Sequence, residues 1–560
     1  MSIRSRTLAT RPPVLGLSAG RARFAALAIA LCFASAGSAW AGDWYVDPLV
    51  GDDANGGTNP TDAWRTISHA LATAPAAPAG GTQTIHLAPG SYDGISGEVF
   101  PLELRDAFEL VGDGGPDITV LDGGGDARMI SAWSSDWIGV NHGPLTLVKG
   151  LTLQNAYRGV EVMSSSGTEY LTIQDCRVLD VNGTGILVVA TCGLSGCGST
   201  DVKLDRVEVR NCEVGVFVNS GHSQAPAKLT VIDCEVVECS SHGIIEGDAG
   251  GGAELELLRT RIHGSGGEGL WLIQDNVLTP NMTHAKVTDC LISSNAGAGI
   301  KAEVRKDNLT NSRVDLGVVR STIADNHYGV EAFCPTGWSP DIFVSLSGAI
   351  VYGNLDDVYE NPAHVAFTTV RFCDIGDGDF AGSLGNFAAD PLFVDPSNLD
   401  YRLRWASPCI ETGDWLFAAG TLDLAHNARP IDGDFDTLER FDVGCYEFAP
   451  LFQKSIGKLG SPLALELWGP QGNATTVYFT RKPLVAGQPT PFGELDLDAA
   501  FMNVFRVTTV GSGPPKTIKR TIPNDPAFAG LVFSFQALTE CAAAPQGKAY
   551  TNAVELTLVP

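Results

Sequence analysis

The sequence predicts an all-β chain: a single-stranded parallel β-helix of about 10–12 coils, followed by a small antiparallel β domain. Three observations predict it. Seven times a Gly is followed by an aliphatic residue, at Gly159-Val160, Gly185-Ile186, Gly215-Val216, Gly243-Ile244, Gly269-Leu270, Gly299-Ile300 and Gly329-Val330, at intervals of 26 to 30 residues. Eleven or twelve residues before each Gly stands another aliphatic: Val148, Ile173, Leu204, Val231, Leu257, Val287 and Val318. Three residues after those come Leu151, Cys176, Val207, Cys234, Thr260, Cys290 and Ser321, mostly small. A degenerate eighth unit carries Leu346, Ala349 and Asp357-Val358, with Asp in place of Gly. Such a fixed period is the mark of a solenoid.

The chain opens with an export signal over residues 1–41. Five arginines and no acid occupy that stretch, an apolar run spans Phe24–Ala34, and Ala39-Trp40-Ala41 places cleavage before Gly42. The run is shorter than the ~20 residues a membrane span needs. The expected mature protein is therefore secreted or held at the cell surface, with no transmembrane segment. The whole chain has 37 Lys plus Arg against 64 Asp plus Glu, a formal charge of −27. That balance argues against a nucleic-acid binder, because phosphates are met mainly by Lys and Arg. It also disfavours an anionic membrane surface.

Residues 42–83 are expected to cap the solenoid, with a short amphipathic helix over Trp64–Ala72, where Trp64, Ile67, Ser68 and Leu71 share one face. Residues 84–385 form the β-helix itself, starting with strands at Thr84–Leu87, Leu102–Leu104, Phe108–Val111 and Ile118–Leu121. Within each repeat, period-two stretches such as Leu171-Thr172-Ile173 read as short strands with one buried face. The Asn, Gly, Asp and Ser between them supply sharp bends. Nothing long enough for a helix fits inside a unit. Each strand then pairs with its counterpart one coil later, about 4.8 Å along the axis.

The cysteines follow the repeat. Cys176, Cys234 and Cys290 share one position with Val207, Thr260 and Ser321, which marks a small inward-facing site. Cys212 and Cys239 lie five residues past their ladder residue on consecutive coils, and a disulfide between them is expected. Cys192 and Cys197 are close enough in sequence to bridge locally. They lack the second Cys/His pair of a structural zinc site.

Several motifs resemble a known family. Trp44-Tyr45-Val46-Asp47, Gly51-Asp52-Asp53-Ala54-Asn55-Gly56-Gly57-Thr58, Trp64-Arg65-Thr66-Ile67 and Ile85-His86-Leu87-Ala88-Pro89-Gly90-Ser91-Tyr92 resemble the opening of exported bacterial right-handed parallel β-helix proteins. Those proteins belong to the pectate-lyase-like superfamily. Ala389-Asp390-Pro391-Leu392-Phe393-Val394-Asp395-Pro396, Ser407-Pro408-Cys409-Ile410 and Asp442-Val443-Gly444-Cys445-Tyr446-Glu447-Phe448 are similar to their closing region, assigned here to residues 386–448. The resemblance implies architecture and a right-handed coil; it says almost nothing about activity. Residues 449–560 read as a sandwich-like β module, with strands at Leu463–Trp468, Thr476–Phe479, Leu531–Phe535 and Val554–Val559.

Chemistry is sought on the strand after each repeat Gly. Alternation places Glu161, Leu187, Phe217, Ile245, Trp271, Lys301 and Glu331 at the first outward position, and Met163, Val189, Asn219, Gly247, Ile273, Glu303 and Phe333 at the second. This face suits a polysaccharide or cell-surface glycan, with Trp271 and Phe217 stacking on sugars while Lys301, Glu303 and Glu331 meet hydroxyls or carboxylates. The competing expectation is that loops 190–201 and 274–284 fold over it and make it a second core. Glu246 falls on the inward alternation. No galacturonase-like catalytic pattern can be assembled; Gly221-His222-Ser223 and Arg305-Lys306-Asp307 are fragments of one. The reading is therefore a non-catalytic glycan binder. A polysaccharide lyase, epimerase or hydrolase is the first alternative, and an adhesin the second. Asp52, Asp53 and Asn55 in one loop, and Asp432, Asp434 and Asp436 in another, offer hard oxygen ligands for a structural Ca²⁺.

Overall fold

The computed structural model describes residues 41–134, 146–193, 196–222, 224–248, 252–275, 282–305, 313–334, 341–360, 366–414, 421–436, 438–455, 457–469, 472–510, 515–544 and 546–560. The expected export signal, and Ser223, Lys306 and Asp307, lie outside them. Among the described residues no helix is long and apolar enough to cross a membrane.

Three parallel sheets of 12, 11 and 10 strands run the length of the solenoid, here sheets 1, 2 and 3 in the order the chain visits them in each coil. The register is the one the repeat dictates. In sheet 3, Val160, Ile186, Val216, Ile244, Leu270, Ile300, Val330 and Val358 pair in succession. In sheet 1, Val148, Ile173, Leu204, Val231, Leu257, Val287, Val318 and Leu346 do the same. All of them are buried in one continuous apolar column.

The repeat Gly is required by close approach. A Cβ on Gly215 would stand 2.6 Å from the Gly243 carbonyl oxygen, and one on Gly243 2.6 Å from that of Gly269. Asp357 escapes this constraint because its strand, Asp356–Glu360, is the edge of sheet 3.

The small-residue position has a hydrogen-bonding logic beyond its size. Cys176, Cys234, Cys290 and Cys373 each donate their thiol to the carbonyl two residues earlier, at 3.1–3.2 Å. Thr260 and Ser321 do so with hydroxyls at 3.2 and 2.9 Å. The same side chains accept from the preceding coil, as in Val207 N–H to Cys234 Sγ at 3.3 Å and Cys290 N–H to Ser321 Oγ at 3.1 Å. Burial pushes the Cys176 and Cys234 thiols up to about 12.

On the six coils from Cys176 to Ser321 the residue just before that position is left-handed, and its identity alternates: Asp175, Arg206, Asp233, Arg259, Asp289, Arg320, with φ between 44° and 56°. Each Arg grips the Asp of the previous coil with two hydrogen bonds, at 2.6 and 3.3 Å, 2.7 and 3.1 Å, and 2.9 and 2.9 Å. The bidentate ion pairs line the sheet 1 to sheet 2 corner, where they offset the strain of six non-Gly residues held at positive φ.

Several expectations need correction. Gly42–Val46 is not part of a separate cap but the first strand of sheet 1, paired with Gln83–Leu87. The helix is shorter than expected, Ile67–Thr73, because the Thr66 side chain caps it by accepting from His69 N–H. Trp64 precedes it, buried and stacked on Trp44 at 5.3 Å. Cys212 and Cys239 are not bridged but are free buried thiols. On neighbouring parallel coils the Cα–Cβ vectors run side by side, so the sulfurs stay a strand spacing apart rather than converging. Each instead contacts the carbonyl two residues before it, Arg210 O at 3.5 Å and Val237 O at 3.9 Å. Cys192 and Cys197 do form a disulfide.

The closing region does more than plug the end. Asn386 and Phe387 cover the last coil through Cys373 N–H to Asn386 Oδ1 and Phe387 N–H to Cys373 O, both 3.0 Å. The chain then runs back along the flank of sheet 2. Tyr401, Val443, Cys445, Tyr446 and Phe448 bury the outward residues Leu291, Ala324 and Ile350. Arg429, fully buried, joins this strap to the ion-pair corner: it donates to Asp289 at 2.6 Å, to Glu447 at 2.8 Å and to the Gly444 carbonyl at 2.7 Å. Beyond it lie antiparallel sheets of three, four and two strands with their own core around Leu465, Val477, Phe535 and Leu556. They include two strands beyond the expected ones, Asn503–Thr509 and Lys516–Thr521.

Two substitutions test this architecture. Gly215→Ala should cost about 1–3 kcal/mol through the carbonyl clash. Arg429→Ala should cost about 3–5 kcal/mol, because it leaves Glu447 buried without its cation. Urea unfolding midpoints of the mature chain measure both.

Candidate functional site

The outer face of sheet 3 carries its first outward column in register, Glu161, Leu187, Phe217, Ile245, Trp271, Lys301, Glu331 and then Tyr359. It is not a uniformly open platform. Leu187 and Ile245 are buried, Phe217 is half-buried between them, and the ring of Phe217 fills the space that a side chain on Gly247 would take. Phe217 is two coils from Trp271, roughly 10 Å away, so the two rings do not form one stacking surface. At the N-terminal end, buried Glu161 is held between Arg128 at 3.1 Å and Arg158 at 2.5 Å. Both guanidinium groups share the one carboxylate, which leaves this end with a net positive charge.

The C-terminal end gathers the polar side chains. Trp271 donates its indole N–H to Glu303 Oε2 at 2.9 Å. The Arg305 guanidinium lies 4.5 Å from the Trp271 ring, and the His242 ring lies 4.7 Å away, tilted by 56°. Lys301 Nζ sits 3.5 Å from Glu331 and 3.8 Å from Glu268, with the Phe333 ring 5.2 Å from it. His242 Nδ1 and Glu268 Oε2 are 2.8 Å apart. Arg305 Nε reaches Glu303 Oε1 at 3.2 Å.

Trp271, Lys301, Glu303 and Glu331 are thus brought together as the alternation implies. His242, Glu268 and Arg305 join them without having been singled out as a group. The signal for the first two was available: each directly precedes a repeat Gly and stands beside the first outward column, His242 against Trp271 and Glu268 against Lys301. Strict period-two counting skips this position, which on an earlier coil is Arg158.

The electrostatics split the carboxylates. Burial pushes the Glu331 carboxyl above its ordinary value, Glu268 and Glu303 push the same way, and Lys301 opposes them. Burial would also raise Glu268, but the His242 hydrogen bond and the Lys301 charge outweigh it and hold that carboxyl below the usual range. The two acids flanking one ammonium are therefore shifted in opposite directions. Glu246 is fully buried within the coil, on the inward side as expected.

The acidic loops resolve differently. Asp53 accepts from Arg65 N–H, Thr66 N–H and Thr66 Oγ1 at 2.9–3.0 Å, Asp52 accepts from Ala54 N–H, and Asn55 Nδ2 donates to Ala63 O. These groups fasten the turn that carries Trp64. Asp432, Asp434 and Asp436 do converge with Glu411, with ligand atoms within 4.8 Å of one another. Arg440, however, reaches Glu411 at 3.0 Å and Asp436 at 3.2 Å, and the Gly433 and Asp434 N–H groups bond Glu411 Oε1. A guanidinium stands where a cation's charge would be, so the residues present do not fit Ca²⁺.

Residues 49–334 match the family described as protein of unknown function (DUF1565). No curated protein matches the chain. Among solved structures it is similar to pectate lyase Pel9A, at 15% identity over 72% of this chain and 96% of that one, with a TM-score of 0.39. It is also similar to the Azotobacter vinelandii mannuronan C-5 epimerase AlgE6 A-module, at 16% identity over 56% and 92%, TM-score 0.28. A third is the enzymatically active domain of bacteriophage CBA120 tailspike protein 2, at 12% identity over 85% and 72%, TM-score 0.31. Likenesses this distant carry no chemistry across.

Burial, with Asp434 and Asp432 nearby, pushes the Glu411 carboxyl up to about 7. From its ordinary value to that point the folded protein holds a proton that the unfolded chain releases, so stability falls as pH rises through the window. Glu411→Gln should flatten the dependence between about pH 5 and 7 and add on the order of 1 kcal/mol at pH 8, read from urea midpoints against pH.

Proposed function

Because the chain belongs to the DUF1565 family of proteins of unknown function, matched over residues 49–334, its role must be argued from its own side chains, and we propose that it is an exported β-helix protein that binds an extracellular or cell-surface polysaccharide. Binding takes place on the outer face of sheet 3, centred on Trp271, Lys301, Glu303 and Glu331. The observation that carries this is the cluster itself: an indole, an ammonium, a guanidinium and three carboxylates held in fixed register on adjacent rungs. Alternating donors and acceptors beside an aromatic ring suit hydroxyl-rich ligands. Export rests on the leader pattern of residues 1–41, and the acidic chain leaves nucleic acid aside.

The opposite displacement of the Glu331 and Glu268 carboxyls favours one second reading, acid–base cleavage or epimerisation of the same glycan at the same place. One experiment separates them. The mature protein is incubated with a panel of uronic-acid and neutral polysaccharides, with Ca²⁺ and with chelator, while binding and released ends are followed. Binding without new reducing or unsaturated ends, weakened about ten- to a hundredfold in Trp271→Ala, supports the binder. Product release that disappears in Glu331→Gln would replace it with the enzyme. No binding and no product across the panel would end both.

A further inference from the structure

A cavity of about 700 Å³ lies where the closing region meets the C-terminal strands, well inside the size range of small-ligand sites and at the kind of junction where they occur. It is independent of sheet 3. One wall comes from residues 425–432 with Glu439, and the other from Phe452, Phe492, Glu494, Asp496 and Tyr550. Half of the lining is apolar and aromatic; the charged part is dominated by acids.

Carboxylates of both walls act on one another electrostatically. Burial raises the Glu439 carboxyl, and the charges that add to the effect are Glu494, Asp432 and Asp496, from both walls. Asp496 is raised by burial and by Glu494. Lys548, the lysine of the wall, is 3.7 Å from Glu540. The acidic wall is also braced. Buried Gln536 donates to Glu494 O at 3.0 Å and to Asp496 Oδ2 at 3.2 Å, and accepts from Asp496 N–H at 2.9 Å. Tyr550 N–H bonds Phe492 O at 2.9 Å, tying the aromatic positions together. Like charges held in a partly desolvated, pre-arranged pocket whose lining includes Phe492 and Tyr550 are relieved most by a cation that can also fill apolar space.

We propose that this cavity is a second ligand site and that it takes an organic cation, a primary ammonium on a body the size of one or two sugar rings, as in a deacetylated amino-sugar oligomer. The ammonium sits among Glu439, Glu494 and Asp496, and the body lies against Phe452, Phe492 and Tyr550.

Isothermal titration of the full mature chain tests it with three probes: a glucosamine tetramer, its N-acetylated counterpart and spermidine. The glucosamine tetramer is expected to bind and the acetylated one to bind at least tenfold more weakly. The double variant Glu439→Gln/Glu494→Gln should lose about tenfold or more in affinity. Both positions are exposed enough for the fold to tolerate the change. Trp271→Ala should leave this binding unchanged, which keeps it distinct from the sheet 3 reading. Spermidine binding as tightly as the tetramer, with the same loss in the double variant, supports the ammonium chemistry and assigns it to a free polyamine. Equal affinity for the acetylated tetramer, no binding by either amine, or an unaffected double variant would each overturn the proposal.

Discussion

Everything in this molecule depends on hydrogen bonds that run lengthwise. Each strand is satisfied not by its sequence neighbours but by the same segment of the next coil, so side chains recur at one strand spacing along the axis. That single constraint makes an inward position a column, an outward position a stripe and a corner position a ladder. A residue is therefore tolerated or refused according to what stands above and below it. The repeat Gly shows this: a Cβ on Gly215 or Gly243 would meet the carbonyl of the Gly one coil on, and Asp357, which replaces it in the eighth unit, lies on the edge strand of sheet 3.

The corner between sheets 1 and 2 shows how the same constraint organises charge. Six consecutive coils place a non-Gly residue in the left-handed region there, alternating Asp and Arg. Stacked like charges would repel at this distance, whereas alternation converts the column into bidentate pairs. The closing strap exploits what the ladder offers. Asp289 serves both Arg320 and the fully buried Arg429, so the return segment is fixed to the corner by the charge that fixes the coils to each other. The strap in turn carries the wall of the acidic cavity.

The coil register was readable because it rests on single-residue preferences repeated seven times: an aliphatic, a small residue, a Gly. The Asp and Arg alternation lay in plain view one residue before the small position, but hydropathy-based reading passes over charges at a bend. The site was half legible. Trp271, Lys301, Glu303 and Glu331 follow from alternation; His242 and Glu268 do not, because they stand just before the repeat Gly, which the strand pairing passes over at His242. Cys212 and Cys239 stay unbridged for a related reason. Stacking brings equivalent residues near one another but keeps their side chains parallel.

By itself the sequence determined the period, the inward columns and the identity of the outward stripes, since these depend on contacts between equivalent residues of adjacent coils. Tertiary structure alone decided how residues 386–448 return along sheet 2, which carboxylates act on one another at the junction with the C-terminal strands, and that Arg440 stands among the acids of residues 411–436. Those contacts join segments with no shared period. Their partners are set by where the chain is carried after the last coil, and no local spacing encodes that path.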